Sequence, residues 1–155
     1  MPEWIRWIGL SLAVVLLDQA SKFQIVATMT GRDDIEVASF FKLVLFYNEG
    51  AAFSFLSQAG GWQRTLFMGI AAGASLLMIH LIRKHRGELL FSFALSFILG
   101  GALGNLADRI RIGHVVDFLY FHLGEHYFPA FNLADSAITL GAALMILDSI
   151  RKERK

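Results

Sequence analysis

Runs of apolar residues long enough to cross a bilayer recur four times along the chain, with polar residues gathered between them. A spanning helix takes ~20 mostly apolar residues. The windows that qualify are residues 4–27, 62–82, 89–107 and 133–150. Asp18 and Lys22 interrupt the first, and the second holds only Arg64 near its start. The fourth carries Asp135 near one end and Asp148 near the other. Between the first two windows the pattern changes. Residues 35–47 are rich in β-branched and aromatic side chains, Asn48-Glu49-Gly50 supplies turn chemistry, and residues 51–56 are apolar again. This predicts a small strand pair over about residues 35–57. An open strand edge cannot sit in lipid, so the pair belongs on a membrane face or over a cavity. The expected architecture is an all-α polytopic membrane protein, one domain over residues 1–155. It has four transmembrane helices and a small β-element between the first and second.

Composition agrees with that pattern. Of 155 residues, 55% are hydrophobic and 17% charged, against about 25% charged in an ordinary soluble domain. A disordered chain and a strongly basic nucleic-acid binder are both excluded. The absence of Cys removes disulfides, thiolate metal sites and a thiol nucleophile. The apolar run over residues 7–17 after Arg6 resembles a signal peptide, but Asp18 and Lys22 follow it and apolar residues resume at Phe23, Ile25 and Val26. It is therefore expected to stay as a membrane helix. Basic residues set orientation. Arg6, the group Arg83, Lys84 and Arg86, and the tail Arg151, Lys152, Arg154 and Lys155 fall on one side, eight in all. Lys22, Arg32, Lys42, Arg64, Arg109 and Arg111 are scattered over the other. The tight basic groups predict cytoplasmic termini and outward longer loops. Trp4, Trp7 and Trp62 fit interfacial anchors.

Ionisable residues inside or at the ends of membrane spans are costly, which makes each a functional candidate. Asp18 and Lys22, four apart on one helix face, form either a packing pair or part of a site. Gly100 and Gly104 make a small-residue face for close helix approach. Asn105, Asp108 and Arg109 crowd the end of the third helix. Asp117 lies in the apolar stretch Val115-Val116-Asp117-Phe118-Leu119-Tyr120. Asp135 fits the third helical position after an Asn132 N-cap, where a carboxylate also favours the helix dipole. Taken singly, each has an ordinary structural explanation. Together, Asp117 and Asp135 place two carboxylates at the same outer boundary. Close carboxylates share a proton, the ionised one taking a proton from water and the protonated one polarising a carbonyl. That is equipment for amide hydrolysis without a covalent intermediate. His122 and His126 have helical spacing but no H-E-x-x-H pattern, and no G-x-S-x-G, P-loop or dinucleotide glycine pattern occurs. Asp148 is expected to pair with Arg151 or Lys152.

The segments Asp18-Gln19-Ala20-Ser21-Lys22, Asn48-Glu49-Gly50-Ala51-Ala52-Phe53, Gly100-Gly101 through Gly104-Asn105 to Asp108-Arg109, Val116-Asp117-Phe118, and Phe131-Asn132-Leu133-Ala134-Asp135 resemble, in order, the five motif regions of bacterial lipoprotein signal peptidase (signal peptidase II). The resemblance implies an aspartic intramembrane endopeptidase of the bacterial inner membrane. Such an enzyme cuts diacylglyceryl-modified prolipoproteins just before the lipidated Cys. It implies Asp117 and Asp135 as the catalytic pair, and Asn48, Gly50, Asn105, Arg109, Asn132 and Ala134 as lining residues. Asp18, Lys22, Gly104 and Asp108 would support the site. The β-element would be a periplasmic cradle that holds substrate against the membrane. No metal, cofactor or nucleic acid is implied. Membrane lipid and the cyclic peptide globomycin would be binding partners, and the enzyme would be a monomer. Two other readings use the same residues: an ion-coupled transporter with Asp117 and Asp135 in a relay, and a membrane assembly subunit with Gly100 and Gly104 as its contact face.

Overall fold

The computed structural model describes residues 2–49 and 62–153. Four helices are long and apolar enough to cross a membrane. They are α1 (Glu3–Met29), α2 (Trp62–Lys84), α3 (Leu89–Arg111) and α4 (Leu133–Glu153). Each begins within a residue of its predicted window and runs two to four residues further. The extra turns are made of polar residues such as Asp108, Arg109 and Arg111. Long charged side chains favour a helix as well as apolar ones do, so hydropathy alone stops short.

Helix α3 packs against the other three helices. Small residues make the approach possible. A Cβ on Gly100 would lie 2.6 Å from Val14 Cβ, and one on Gly104 would lie 2.6 Å from Asp18 Oδ2. Toward α4, a Cβ on Gly101 would collide with the Ala134 carbonyl oxygen. At the opposite end of the bundle, Met78, Ile82, Leu95 and Leu99 form a buried cluster, with Trp4, Trp7 and Ile8 packed against it. There Arg83 stacks 4.5 Å above the Trp4 ring. Leu12, Leu16, Leu17, Phe23, Leu76, Leu77 and Ile146 all face outward, an apolar belt that lipid would cover.

Four antiparallel strands form one sheet in the order β1 (Ile35–Ala38), β2 (Phe41–Asn48), β3 (Val115–Leu123), β4 (His126–Tyr127). This differs from the predicted strand pair. Residues 35–47 are not one strand: the chain turns at Ser39-Phe40, and Ile35 pairs with Leu43. The long partner of β2 is β3, which follows α3, so the β-element extends beyond the segment between the first two helices. The turn at Ser39-Phe40 carries no Gly, Pro, Asn or Asp, and its single Ser is a weak turn signal among apolar and aromatic neighbours. The predicted strand at residues 51–56 lies outside the described residues. His122 and His126 sit on a β-hairpin, with Leu123 opposite His126, rather than one helical turn apart.

The sheet is fixed to one end of the bundle by α1, whose last turns bury Ile25 and Met29 against Phe118, with Leu43, Leu45 and Leu119 around them. Phe46 stands opposite Asp117, and an irregularity between Leu43 and Phe46 gives β2 one extra residue just before that pair. Such bulges re-aim side chains next to functional sites.

Candidate active site

The polar residues of three helices and two strands meet where the sheet joins the bundle. The buried centre of this group is Lys22, 1% exposed, between Asp18 and Asp108, both at 0%. Buried charges are costly unless paired and hydrogen-bonded. The Lys22 ammonium answers that with three partners at 2.9 Å: Asp18 Oδ2, Asp108 Oδ2 and Asn105 Oδ1. Gln19 Nε2 donates to Asp108 Oδ1 at 3.0 Å and to the Gly104 carbonyl at 3.1 Å. Arg111 approaches the outer edge of Asp108 at 3.6 Å. Gly104 leaves the space that Asp18 fills.

Asn105 links this cluster to Asp135. Its Oδ1 accepts from Lys22 and, at 3.2 Å, from Asn132 Nδ2, so its own Nδ2 turns to Asp135 Oδ1 at 2.8 Å. Asn132 caps α4 as expected: its Oδ1 accepts the Asp135 N–H at 2.9 Å. The Asn132 N–H donates to Asp135 Oδ2 at 3.3 Å, which completes a capping box. The same Asn132 amide also donates to Asp117 Oδ1 at 2.7 Å and to the Val116 carbonyl at 3.2 Å. Asn48, the last residue of β2, donates from Nδ2 to Asp117 Oδ2 at 3.0 Å. Both carboxylates are thus gripped by amide donors and linked through Asn132 and Asn105.

Asp117 is 1% exposed. Burial pushes its carboxyl up from 3.8 to about 6; the Asp135 charge adds to the rise, while the Asn48 and Asn132 amides oppose it. Asp117 therefore holds a proton at a pH where an exposed aspartate would not.

Asp117, Asp135, Asn48, Asn105 and Arg109 line one cavity of about 780 Å³, within the range of small-molecule and peptide sites. Asn132 stands fully buried behind it. Ala134 faces away, its N–H donating to Asp18 Oδ1 at 2.9 Å. Asp18, Lys22, Gly104 and Asp108 lie behind the cavity rather than in its wall. Gly50 lies outside the described residues. Asp148 pairs with Lys152 at 2.7 Å near the other end of the bundle, away from this group.

Several contributors carry no distinguishing mark in the sequence. Gln19 is one: its amide reaches Asp18, Asp108 and the Gly104 carbonyl. The cavity also runs along Ser136, Thr139, Leu140 and Ala143 of α4 and under Phe128 and Phe131. The α4 residues are spaced at positions 1, 4, 5 and 8 of a helix face, a period visible in the sequence. Phe131 is carried in by its backbone bonds to β3, as in Leu119 N–H to Phe131 O at 2.8 Å. No local sequence signal marks that bridge.

Comparison with known proteins bears on the whole chain. Residues 10–151 match the family described as signal peptidase (SPase) II. A lipoprotein signal peptidase of Burkholderia vietnamiensis is 55% identical over 148 residues, covering 96% of this chain and 89% of the relative. One from Burkholderia multivorans shows the same identity and coverage. A bacterial membrane enzyme solved at 2.3 Å superposes with a TM-score of 0.83 at 32% identity, covering 96% of this chain and 89% of the other. A second, solved at 1.9 Å, gives 0.79 at 34% identity, covering 92% and 90%. With the four spans, these matches make the chain a multi-pass membrane protein.

Proposed function

The chain belongs to the signal peptidase II family and is a protease, and we propose that it removes signal peptides from diacylglyceryl-modified prolipoproteins with Asp117 and Asp135 as its catalytic pair. The observation that carries this reading is that both carboxylates face one cavity while asparagine amides hold them, Asn48 and Asn105 from the cavity wall and Asn132 from behind. Nothing in that arrangement needs a serine, a thiol or a metal to activate water.

The pair shares one proton. The ionised carboxylate accepts a proton from a water as its oxygen attacks the carbonyl carbon of the scissile bond. The protonated carboxyl hydrogen-bonds and then protonates the carbonyl oxygen, giving a neutral gem-diol. The carboxyl that took the water's proton then gives it to the leaving nitrogen while the other, now ionised, takes a gem-diol hydroxyl proton. The C–N bond breaks, the signal peptide leaves with a new carboxyl end, the lipidated Cys keeps a new amino terminus, and the pair returns to its starting protonation. The fixed amide donors keep the reacting oxygens from turning away. Asn48, Asn105 and Arg109 would contact substrate, with Asn132 and Ala134 fixing the wall behind them. Gly50 completes the lining set implied by the motif match. Asp18, Lys22, Gly104 and Asp108 would support the site. The apolar α4 face would run beside the substrate's membrane-embedded part. The bacterial inner membrane, with both termini cytoplasmic and the sheet outside, fits the basic groups at the bundle's other end. We expect a monomer.

The test is an in vitro cleavage assay. Purified protein incubated with a diacylated prolipoprotein should release signal peptide, and globomycin should block release. Asp117→Asn and Asp135→Asn should each lower kcat by about 10³-fold or more while leaving the protein folded. Substantial activity in either variant would remove that carboxylate from the mechanism.

A further inference from the structure

Lys22 places an ammonium, 1% exposed, inside a membrane-spanning helix without reaching the cavity. Stability alone is a weak reason for it, because a buried ion pair replaced by well-packed apolar residues is often no less stable. Its three bonds share another property. One leads through a side chain to Asp135 itself, and the other two lead to the backbone N–H of the residue before each carboxylate. Asp18, held at 2.9 Å, accepts the N–H of Ala134 at 2.9 Å, and Ala134 precedes Asp135. Asp108, held at 2.9 Å, accepts the N–H of Val116 at 3.3 Å, and Val116 precedes Asp117. Asn105, held at 2.9 Å, donates to Asp135 itself at 2.8 Å.

We propose that Lys22 is a positioning residue that sets the separation of Asp117 and Asp135, through Asp108 and Val116 on the strand side and through Asp18, Ala134 and Asn105 on the helix side. The inference rests on reading those two carboxylates as the reacting pair. The strand bearing Asp117 and the helix bearing Asp135 are separate elements, and the ammonium is the point where their supports converge. Gly104 belongs to the same device, since a Cβ there would lie 2.6 Å from Asp18 Oδ2 and displace it. Without the ammonium, Asp18 and Asp108 lose the donor that holds them together. Their carboxylates then shift, and with them the backbone N–H groups they hold. A shift of about 1 Å at reacting groups costs on the order of 10²-fold in rate.

Lys22→Met keeps the length of the stem and removes the three donors. Per folded enzyme, judged by size exclusion and thermal unfolding, kcat should fall about 100-fold. KM should stay within about threefold, because Lys22 and Asp108 do not line the cavity. Asp108→Asn retains an oxygen for the ammonium and the Val116 N–H and loses the acceptor for Gln19, so it should keep clearly more activity than Asp108→Ala. Asp108→Ala removes that oxygen and should match Lys22→Met. A role in stability alone would lower the yield of folded enzyme and leave kcat per folded molecule unchanged, which overturns the proposal. So would a loss confined to KM, or equal activity in the two Asp108 variants. The Asp108 comparison decides the matter if Lys22→Met does not fold. Asp117→Asn and Asp135→Asn belong in the same assay. If both are inactive while Lys22→Met is active, only the positioning role falls; if either is active, the carboxylate pair itself is wrong.

Discussion

Asp117 shows how one residue's surroundings bias its chemistry. Its raised value of about 6, against 3.8 when exposed, means the folded protein binds that proton more tightly than the unfolded chain. The sign follows from linkage: this contribution to stability is complete below pH 3.8 and is lost as pH rises through about 6. The difference corresponds to about 3 kcal/mol across that window. Thermal unfolding in detergent should therefore show a decline in stability from about pH 4 to pH 6 that Asp117→Asn flattens. An unchanged slope in that variant would assign the decline to other groups. The residue is held against this cost by amides from a strand and from a helix cap, Asn48 and Asn132.

At the scale of elements, the close pairing of α3 with α4 aims Asp135. A Cβ on Gly141 would lie 2.6 Å from the Ala94 carbonyl oxygen and 3.1 Å from the Ile98 nitrogen, so backbone and not merely a side chain must yield. Gly141→Ala should cost about 1–3 kcal/mol in stability, read as a lower unfolding temperature, with cleavage activity falling alongside. Gly73→Ala on α2 meets nothing within 4 Å and should be neutral to slightly stabilising, by at most about 1 kcal/mol. The helices were legible because lipid demands long apolar runs, and each start was found to within a residue. The Asn132 cap was legible because a capping box is local. The sheet was not. Its main pairing joins Phe41 to Phe121 across 80 residues, and nothing near β2 says which distant segment it will meet. Asp117 could be singled out by its apolar neighbours, yet its place on a strand and its bond to Asn48 depend on that pairing. Asp18 and Lys22 were legible as a pair through their spacing; the third member, Asp108, was visible only as a charge at a helix end.

Across the whole molecule, the usual distribution is partly inverted relative to a soluble protein: the buried set includes Asp18, Lys22, Asp108, Asp117 and Asn132, while Leu12, Leu16, Leu17, Leu76 and Leu77 face outward. Leu16, 61% exposed near the middle of α1, should therefore resist charge more than any buried serine does. Leu16→Arg is expected to cost about 2.5–3.5 kcal/mol for insertion, measured as reduced membrane integration, whereas Leu16→Phe should integrate normally. The inversion also concentrates obligations on few atoms. The Asn132 side chain turns its amide to Asn105, Val116 and Asp117 and accepts the Asp135 N–H on its Oδ1. An aspartate there would keep the acceptor and lose the donors, a leucine would keep neither, and a glutamine would overreach by a methylene. For an inhibitor that engages the carboxylates held by this side chain, the usual evolutionary exit is closed, because an organism that changed Asn132 to shift them away from the compound would disarm its own enzyme.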